Sequence, residues 1–293
     1  MYARAQEVLN VAAASADLPA PTPYDLDEHH ALATRIASEA ITLLRNEDDA
    51  LPLSSGTNVA LIGDLADTPR YQGAGSSQVN PTRLEAPREL LEAGGESARG
   101  LVLTGYAPGY ERHGGTSDAL IAEAVALAAR ADVALVYVGL DELAESEGLD
   151  RTHMRLPEGQ DRLIEAVVAT NPRTVVVLTG GSSFEMPWAF SVPALVNGYL
   201  GGQGGAGAML DVLTGVVNPS GRLAETYARS LEDHPTAAWY PATGPLSYYR
   251  EGPFIGYRYF TTASVDVAFP FGYGLSYSRF EYSDLAVDQD GGP

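Results

Sequence analysis

Residues 141–151, Asp-Glu-Leu-Ala-Glu-Ser-Glu-Gly-Leu-Asp-Arg, form the densest group of reactive side chains in the chain. Asp141, Glu142, Glu145, Glu147 and Asp150 put five carboxylates on one short segment, with a glycine after Glu147 and Arg151 beside Asp150. A carboxyl group crowded by other carboxylates tends toward the protonated form, the state a general acid needs. The Asp150–Arg151 pair can pin such a loop. The same run also reads as a solvated acidic loop, the usual fate of a charge run.

A second segment, Tyr71-Gln-Gly-Ala-Gly-Ser76-Ser77-Gln-Val-Asn-Pro81, can offer hydroxyls and backbone N–H groups to a polar ligand, or can serve simply as a turn. A third, Gly202-Gln-Gly-Gly-Ala-Gly207, satisfies G-x-G-x-x-G, with Glu225 about where a ribose-binding acid is expected. That fingerprint belongs on the first βα unit of a dinucleotide fold, where a helix N-terminus holds the pyrophosphate. Here it comes late, and Asn218-Pro-Ser-Gly221 interrupts before a strand could deliver Glu225. A tight turn is the better reading, and no cofactor is expected. His29, His30, His113, His153 and His234 show neither H-x-x-x-H nor H-x-E spacing, so no metal site is expected. The chain has no cysteine, which excludes thiolate nucleophiles, disulfides and cysteine-based zinc sites. Gly180-Gly-Ser-Ser183 is not a G-x-S-x-G elbow.

The elements that must position these groups alternate between strand and helix. Val59–Ile62, Ala131–Val138, Thr174–Leu178 and Ala194–Tyr199 read as buried strands, and Leu101–Leu103 as a weaker one. Ser117 can cap a helix through Ala129; further helices are expected over Glu158–Thr170 and Gly207–Leu213, the last closed by Gly215. Asp27 is a candidate N-cap for a helix whose apolar face is Leu32, Ile36, Ala40 and Leu43. Continuous apolar strands separated by helices predict an α/β fold, a mostly parallel sheet with helices on both faces. The Pro-, Gly- and Tyr-rich stretch 218–280 predicts short strands and functional loops. Residues 1–27 begin helically and continue into a proline-rich linker, and from Phe280 an alternating pattern suggests the first strand of something new.

With 293 residues, 45% of them hydrophobic, the chain can bury a substantial core. Its formal net charge of −20 repels phosphate backbones and anionic lipid, so neither nucleic acid nor a membrane surface is expected as a partner, while a neutral sugar meets no penalty. The N-terminus does not resemble a signal peptide and no apolar run is long enough to span a bilayer, so a soluble, cytoplasmic protein is expected.

Taken in order, the motifs resemble the second domain of family-3 glycoside hydrolases. The resemblance is carried by Ala37-Ser-Glu-Ala-Ile-Thr-Leu-Leu-Arg-Asn46, Leu51-Pro-Leu53, Gly73-Ala-Gly-Ser-Ser-Gln-Val79, Glu147-Gly-Leu-Asp-Arg151 and Leu156-Pro157. It continues through Gly201–Gly207, Asp211-Val-Leu213, Asn218-Pro-Ser-Gly-Arg-Leu223, Gly256-Tyr-Arg-Tyr259 and Phe269–Tyr277. It implies an α/β sandwich over 28–278, preceded at 1–27 by a linker and the tail of a barrel domain, and followed at 279–293 by the start of a fibronectin type III-like domain. It also makes the glycine-rich stretch a structural loop. The family mostly comprises retaining exo-acting β-glycosidases. Retention needs two carboxyl groups about 5–5.5 Å apart. The resemblance implies that a (β/α)₈ barrel, absent from this chain but joined in cis or trans, supplies an aspartate nucleophile. It makes Glu147 the acid/base with Glu145 in reserve, brings Ser76 or Ser77 to the bound sugar, and gives Asp150 and Arg151 the task of holding the loop. The implied substrate is a β-linked glucoside or xyloside. The alternative is a non-catalytic carbohydrate-binding or assembly module.

Overall fold

The computed structural model describes residues 2–286 apart from 17, 20–22, 114, 158, 243 and 247. Helix α1 (Tyr2–Ala16) buries none of its side chains. Helix α2 (Leu26–Ala40) leads into strand β1 (Thr42–Asn46), followed by β2 (Asn58–Ile62), the short α3 (Asp64–Asp67), α4 (Pro87–Ala93) and β3 (Val102–Ala107). Then come α5 (Asp118–Ala128), β4 (Val133–Gly139), α6 (Gln160–Thr170), β5 (Thr174–Thr179), β6 (Ala194–Asn197) and α7 (Gly205–Leu213). Strand β7 (Tyr227–Ala228), α8 (Tyr257–Thr262) and β8 (Val267–Phe269) complete the series. Glu158, the expected start of α6, lies outside the described residues, as do 287–293.

Six strands form one sheet in the order β1-β6-β5-β4-β2-β3, parallel throughout except for β1, which runs antiparallel to β6. All seven residues of β4 are buried, as a strand covered on both faces requires. Alternate side chains divide between two cores. Ala60, Ile62, Ala134, Val136 and Val138 pack with α5 and α6. Val59, Leu61, Val133, Leu135 and Tyr137 pack with α3, α4 and α7. Each large apolar side chain so buried is worth about 1.5–3 kcal/mol. Ser117 caps α5 by accepting from the Leu120 N–H, as expected. The stretch after 218 forms the two-stranded β7–β8 ribbon, α8 and loops. That ribbon's flank is stitched to the start of the domain: Leu275 N–H donates to Leu43 O at 2.8 Å and Gly221 N–H to Ile41 O at 3.2 Å.

Three expectations are corrected. The N-cap of α2 is Asp25, whose Oδ1 accepts from the N–H groups of Asp27 and Glu28; Asp27 lies in the first turn, where its charge suits the helix dipole. The expected apolar face of α2 is not its buried one. Leu32 and Ile36 are 43% and 58% exposed, whereas His30, Ala37 and Ser38 are buried, and Leu43 belongs to β1 because the helix stops at Ala40. The buried side is held by polar contacts: His30 Nε2 lies 2.9 Å from Glu85 Oε1 and its Nδ1 2.9 Å from Gln203 Nε2. Finally, residues 280–286 form no strand; Phe280, Tyr282 and Leu285 are exposed and pair with no strand among the described residues.

Candidate functional site

From β2 the chain moves outward to β3, then returns past β2 to add β4 on the other side. This reversal opens a crevice between the carboxyl ends of β2 and β4, the usual ligand position in an open α/β sheet. The connection after β2, in its loop between α3 and α4, carries Ser76 and Ser77; the loop after β4 carries the acidic run.

Each carboxylate of that run has a distinct environment. Asp141 is buried; its Oδ1 accepts from the N–H groups of Leu143 (2.9 Å) and Ala144 (2.6 Å), which turns the chain out of the strand. Glu142 is gripped by Arg112, which also bonds Asp64. Glu145 is half-buried. Its Oε2 accepts from Arg70 Nη1 at 2.6 Å and from Gly181 N–H at 2.8 Å, and its Oε1 accepts from the Ser182 hydroxyl. Burial pushes its pKa up, but the Ser182 hydroxyl, the Gly181 N–H and the Arg70 guanidinium together outweigh that and hold it below the usual glutamate value. Asp150 accepts from the Tyr240 hydroxyl at 2.6 Å. Arg151 does not bond Asp150 but donates to Ser182 Oγ and Ser183 O, at 3.1 and 2.9 Å.

Glu147, like Asp150, is exposed, and its Oε2 accepts from the Ser76 N–H at 2.6 Å. Hydrogen bonds from Ser76, its hydroxyl first and its backbone N–H next, hold the carboxyl below the ordinary value. This corrects the expectation that crowding raises the pKa values in this loop. The charges of Glu142 and Glu145 are met by Arg112 and Arg70, and Glu147 meets N–H and O–H donors rather than another carboxylate. The contact depends on Gly75, whose φ is +100°; a Cβ there would lie 2.6 Å from the Glu147 Cβ. Ser77 is exposed on the same loop. Gln72 closes that loop, its side-chain amide accepting from Val79 N–H and donating to Val79 O.

The glycine-rich stretch is occupied from within. Glu85 Oε2 accepts from Gly207 N–H at 3.2 Å in the first turn of α7, and a Cβ on Gly207 would lie 2.7 Å from that oxygen. A carboxylate of the chain thus sits where a dinucleotide's phosphate would bind, and Glu225 lies instead near Ser183 and Arg151, with burial raising its pKa. Among the described residues no cluster of His, Asp and Glu is arranged to hold a metal ion, and no helix is long and apolar enough to cross a membrane. Sequence reasoning missed Arg70, whose partners lie on the loop after β4, and Gln72, which closes its own loop against Val79.

Residues 41–277, with this geometry, match the family described as the glycosyl hydrolase family 3 C-terminal domain. The chain belongs to glycosyl hydrolase family 3. It is 49% identical over 268 residues to thermostable beta-glucosidase B of Acetivibrio thermocellus, covering 91% of this chain and 35% of that relative. It is 40% identical over 279 residues to an exo-alpha-(1->6)-L-arabinopyranosidase of Bifidobacterium breve, covering 92% of this chain and 36% of that one. The family-3 chain therefore spans about a third of the length of these curated relatives. Among solved structures, the family-3 beta-glucosidase of Bifidobacterium adolescentis superposes with a TM-score of 0.84 at 39% identity, over 92% of this chain and 39% of that one. Beta-glucosidase 3B from Thermotoga neapolitana, in complex with alpha-D-glucose, gives 0.78 at 30% identity, over 91% and 41%.

Proposed function

We propose that this chain is the acid/base half of a retaining β-glucosidase-like hydrolase, with Glu147 as the acid/base and a barrel domain, in cis or trans, carrying the nucleophile. The observation that supports this best is the fate of the five loop carboxylates: Asp141, Glu142 and Glu145 are turned into the fold by structural partners, whereas Glu147 and Asp150 stay exposed, and of those two it is Glu147 that lies against the Ser76 segment at the carboxyl ends of β2 and β4. Oε2 is taken by the Ser76 N–H, so Oε1 carries the proton. In the first step protonated Glu147 gives that proton to the glycosidic oxygen as the nucleophile attacks the anomeric carbon. In the second, the Glu147 carboxylate takes a proton from water, which displaces the enzyme from the sugar. Bringing a second carboxylate to about 5–5.5 Å and excluding water would raise the Glu147 pKa from its low value in this chain to one suited to an acid.

The outer side of α2, where Leu26, Leu32 and Ile36 are 48%, 43% and 58% exposed, supplies an apolar surface for the barrel to cover. The substrate is a β-linked glucoside or xyloside, and the barrel chooses between them.

The test is hydrolysis of aryl β-glucoside and β-xyloside by the chain alone and by the chain completed with a family-3 barrel domain. Activity is expected only in the completed enzyme, and Glu147→Gln should lower it by about 10²–10⁴-fold. Full activity in the Glu147→Gln enzyme would overturn the assignment. Tight binding of glucose or cellobiose by the chain alone would favour a carbohydrate-binding module.

A further inference from the structure

We propose that Arg70 is a positioning residue that sets the Glu147 carboxyl over Ser76 by tying the loop after β4 to the loop after β2. Its catalytic consequence rests on the acid/base role given to Glu147 above, whereas its structural claim does not.

The Arg70 side chain is 2% exposed. Burying a guanidinium is costly unless the protein returns its hydrogen bonds. Nη1 and Nη2 of Arg70 find theirs in the acidic loop, while the buried Nε has no partner among the described residues. Nη1 donates to Leu140 O at 3.1 Å, where β4 ends, and to Glu145 Oε2 at 2.6 Å; Nη2 donates to Glu145 O at 2.9 Å. The planar fork thus holds the first residue of the loop and, five positions on, both the side chain and the backbone of Glu145. A lysine, with a single ammonium nitrogen, cannot reproduce that set.

The backbone position of Arg70 matters as much. It immediately precedes the segment that Gln72 closes against Val79, so Arg70 begins the loop on which Ser76 rides. Its side chain crosses the crevice between β2 and β4 and stops two residues short of Glu147. The two loops then meet again farther out, where Glu147 N–H reaches Ala74 O at 3.4 Å and Ser76 N–H reaches Glu147 Oε2 at 2.6 Å. Glu145 is further anchored by Gly181 and Ser182 on the loop after β5, which fixes the far side of the same clamp. One buried cation therefore sets the spacing of the two segments that make the Ser76–Glu147 contact.

Two measurements test this. In the chain alone, the Glu147 carboxyl is titrated by carbon-13 NMR and the exchange of the Ser76 N–H is followed. In Arg70→Met, the Glu147 pKa should rise to the ordinary glutamate value and Ser76 should lose protection, while the amides of β4 keep theirs. Arg70→Lys should lie between, and it decides the matter if the methionine variant does not fold. An unchanged Glu147 titration in a folded variant would overturn the proposal.

In the enzyme completed with a barrel domain, kcat/KM is compared for an alkyl β-glucoside, which needs protonation of its leaving group, and a dinitrophenyl β-glucoside, which does not. Misplacing the acid should lower the first by about 10- to 100-fold and leave the second within about twofold. An equal fall on both substrates would mean a general loss of folding, and would also overturn the proposal. If Glu147→Gln shows no such leaving-group dependence, the acid/base reading fails, and the NMR titration still decides the role of Arg70.

Discussion

The glycine-rich turn after β6 and the acidic loop after β4 leave the same edge of one sheet, but one is filled by the protein itself and the other keeps an exposed carboxyl group, Glu147, beside Ser76. At the first, Glu85 occupies the start of α7 and is held in turn by His30. At the second, Glu145 and Glu142 are consumed by Arg70 and Arg112, and Glu147 stays exposed. The turn matches the dinucleotide pattern yet holds no room for a dinucleotide, so that pattern records a backbone shape and says nothing about what occupies it. Function lies where a polar group is placed by the fold yet not used up by it.

Glu145 and Glu147 give the largest test of that contrast. Glu147→Gln should cost activity in the completed enzyme while shifting stability by no more than about 0.5 kcal/mol. Glu145→Gln should destabilise the chain by about 1–3 kcal/mol, because it leaves the buried Arg70 without its counter-charge. Urea midpoints would show this, and a larger loss from Glu147→Gln would reverse the roles. Next, Glu85→Ala should cost about 1–2 kcal/mol by emptying the start of α7 and unpairing His30. Added NAD should still not raise the melting temperature; a rise would restore the dinucleotide reading. Gly75→Ala should cost about 1 kcal/mol from its positive φ and should push Glu147 away from Ser76, visible as faster exchange of the Ser76 N–H.

The smallest effects lie in the pH profile. Glu145 has a depressed pKa, so its contribution to stability is present above the ordinary glutamate value of 4.5 and is lost as pH falls through its folded value. Glu225 has a raised one, mainly from burial, so its contribution is present below 4.5 and is lost as pH rises through its folded value. Glu145→Gln should therefore flatten the acid side of a plot of urea midpoint against pH, and Glu225→Gln the side above it. Identical profiles for the two variants would show that the environments do not differ as described.

Local pattern carried much of this architecture. β2, β4 and β5 are buried on both faces and their apolar runs are continuous, so they could be read directly. Strand β1 could not, because Thr42-Leu-Leu continues the helical spacing of α2 and becomes a strand only by pairing with β6, some 150 residues on. The buried side of α2 was hidden for a related reason: His30 is satisfied by Glu85 and Gln203, which no local window contains. In the site, the composition of the acidic loop was visible but the direction of its pKa values was not, since Arg70, Arg112 and the Ser76 N–H all come from elsewhere in the chain.

The stitching of Leu275 to Leu43 and of Gly221 to Ile41 brings the last turn of the family-3 domain against its first strand. The bounds of the family match, residues 41 and 277, are therefore neighbours, with α2 the one packed element that precedes them among the described residues. A unit built this way behaves as a cassette: it can be spliced ahead of another domain, behind it, or into one of its loops without changing its own packing. Circular permutants that join the two ends by a short linker and open the chain at an exposed turn should fold to the same sheet.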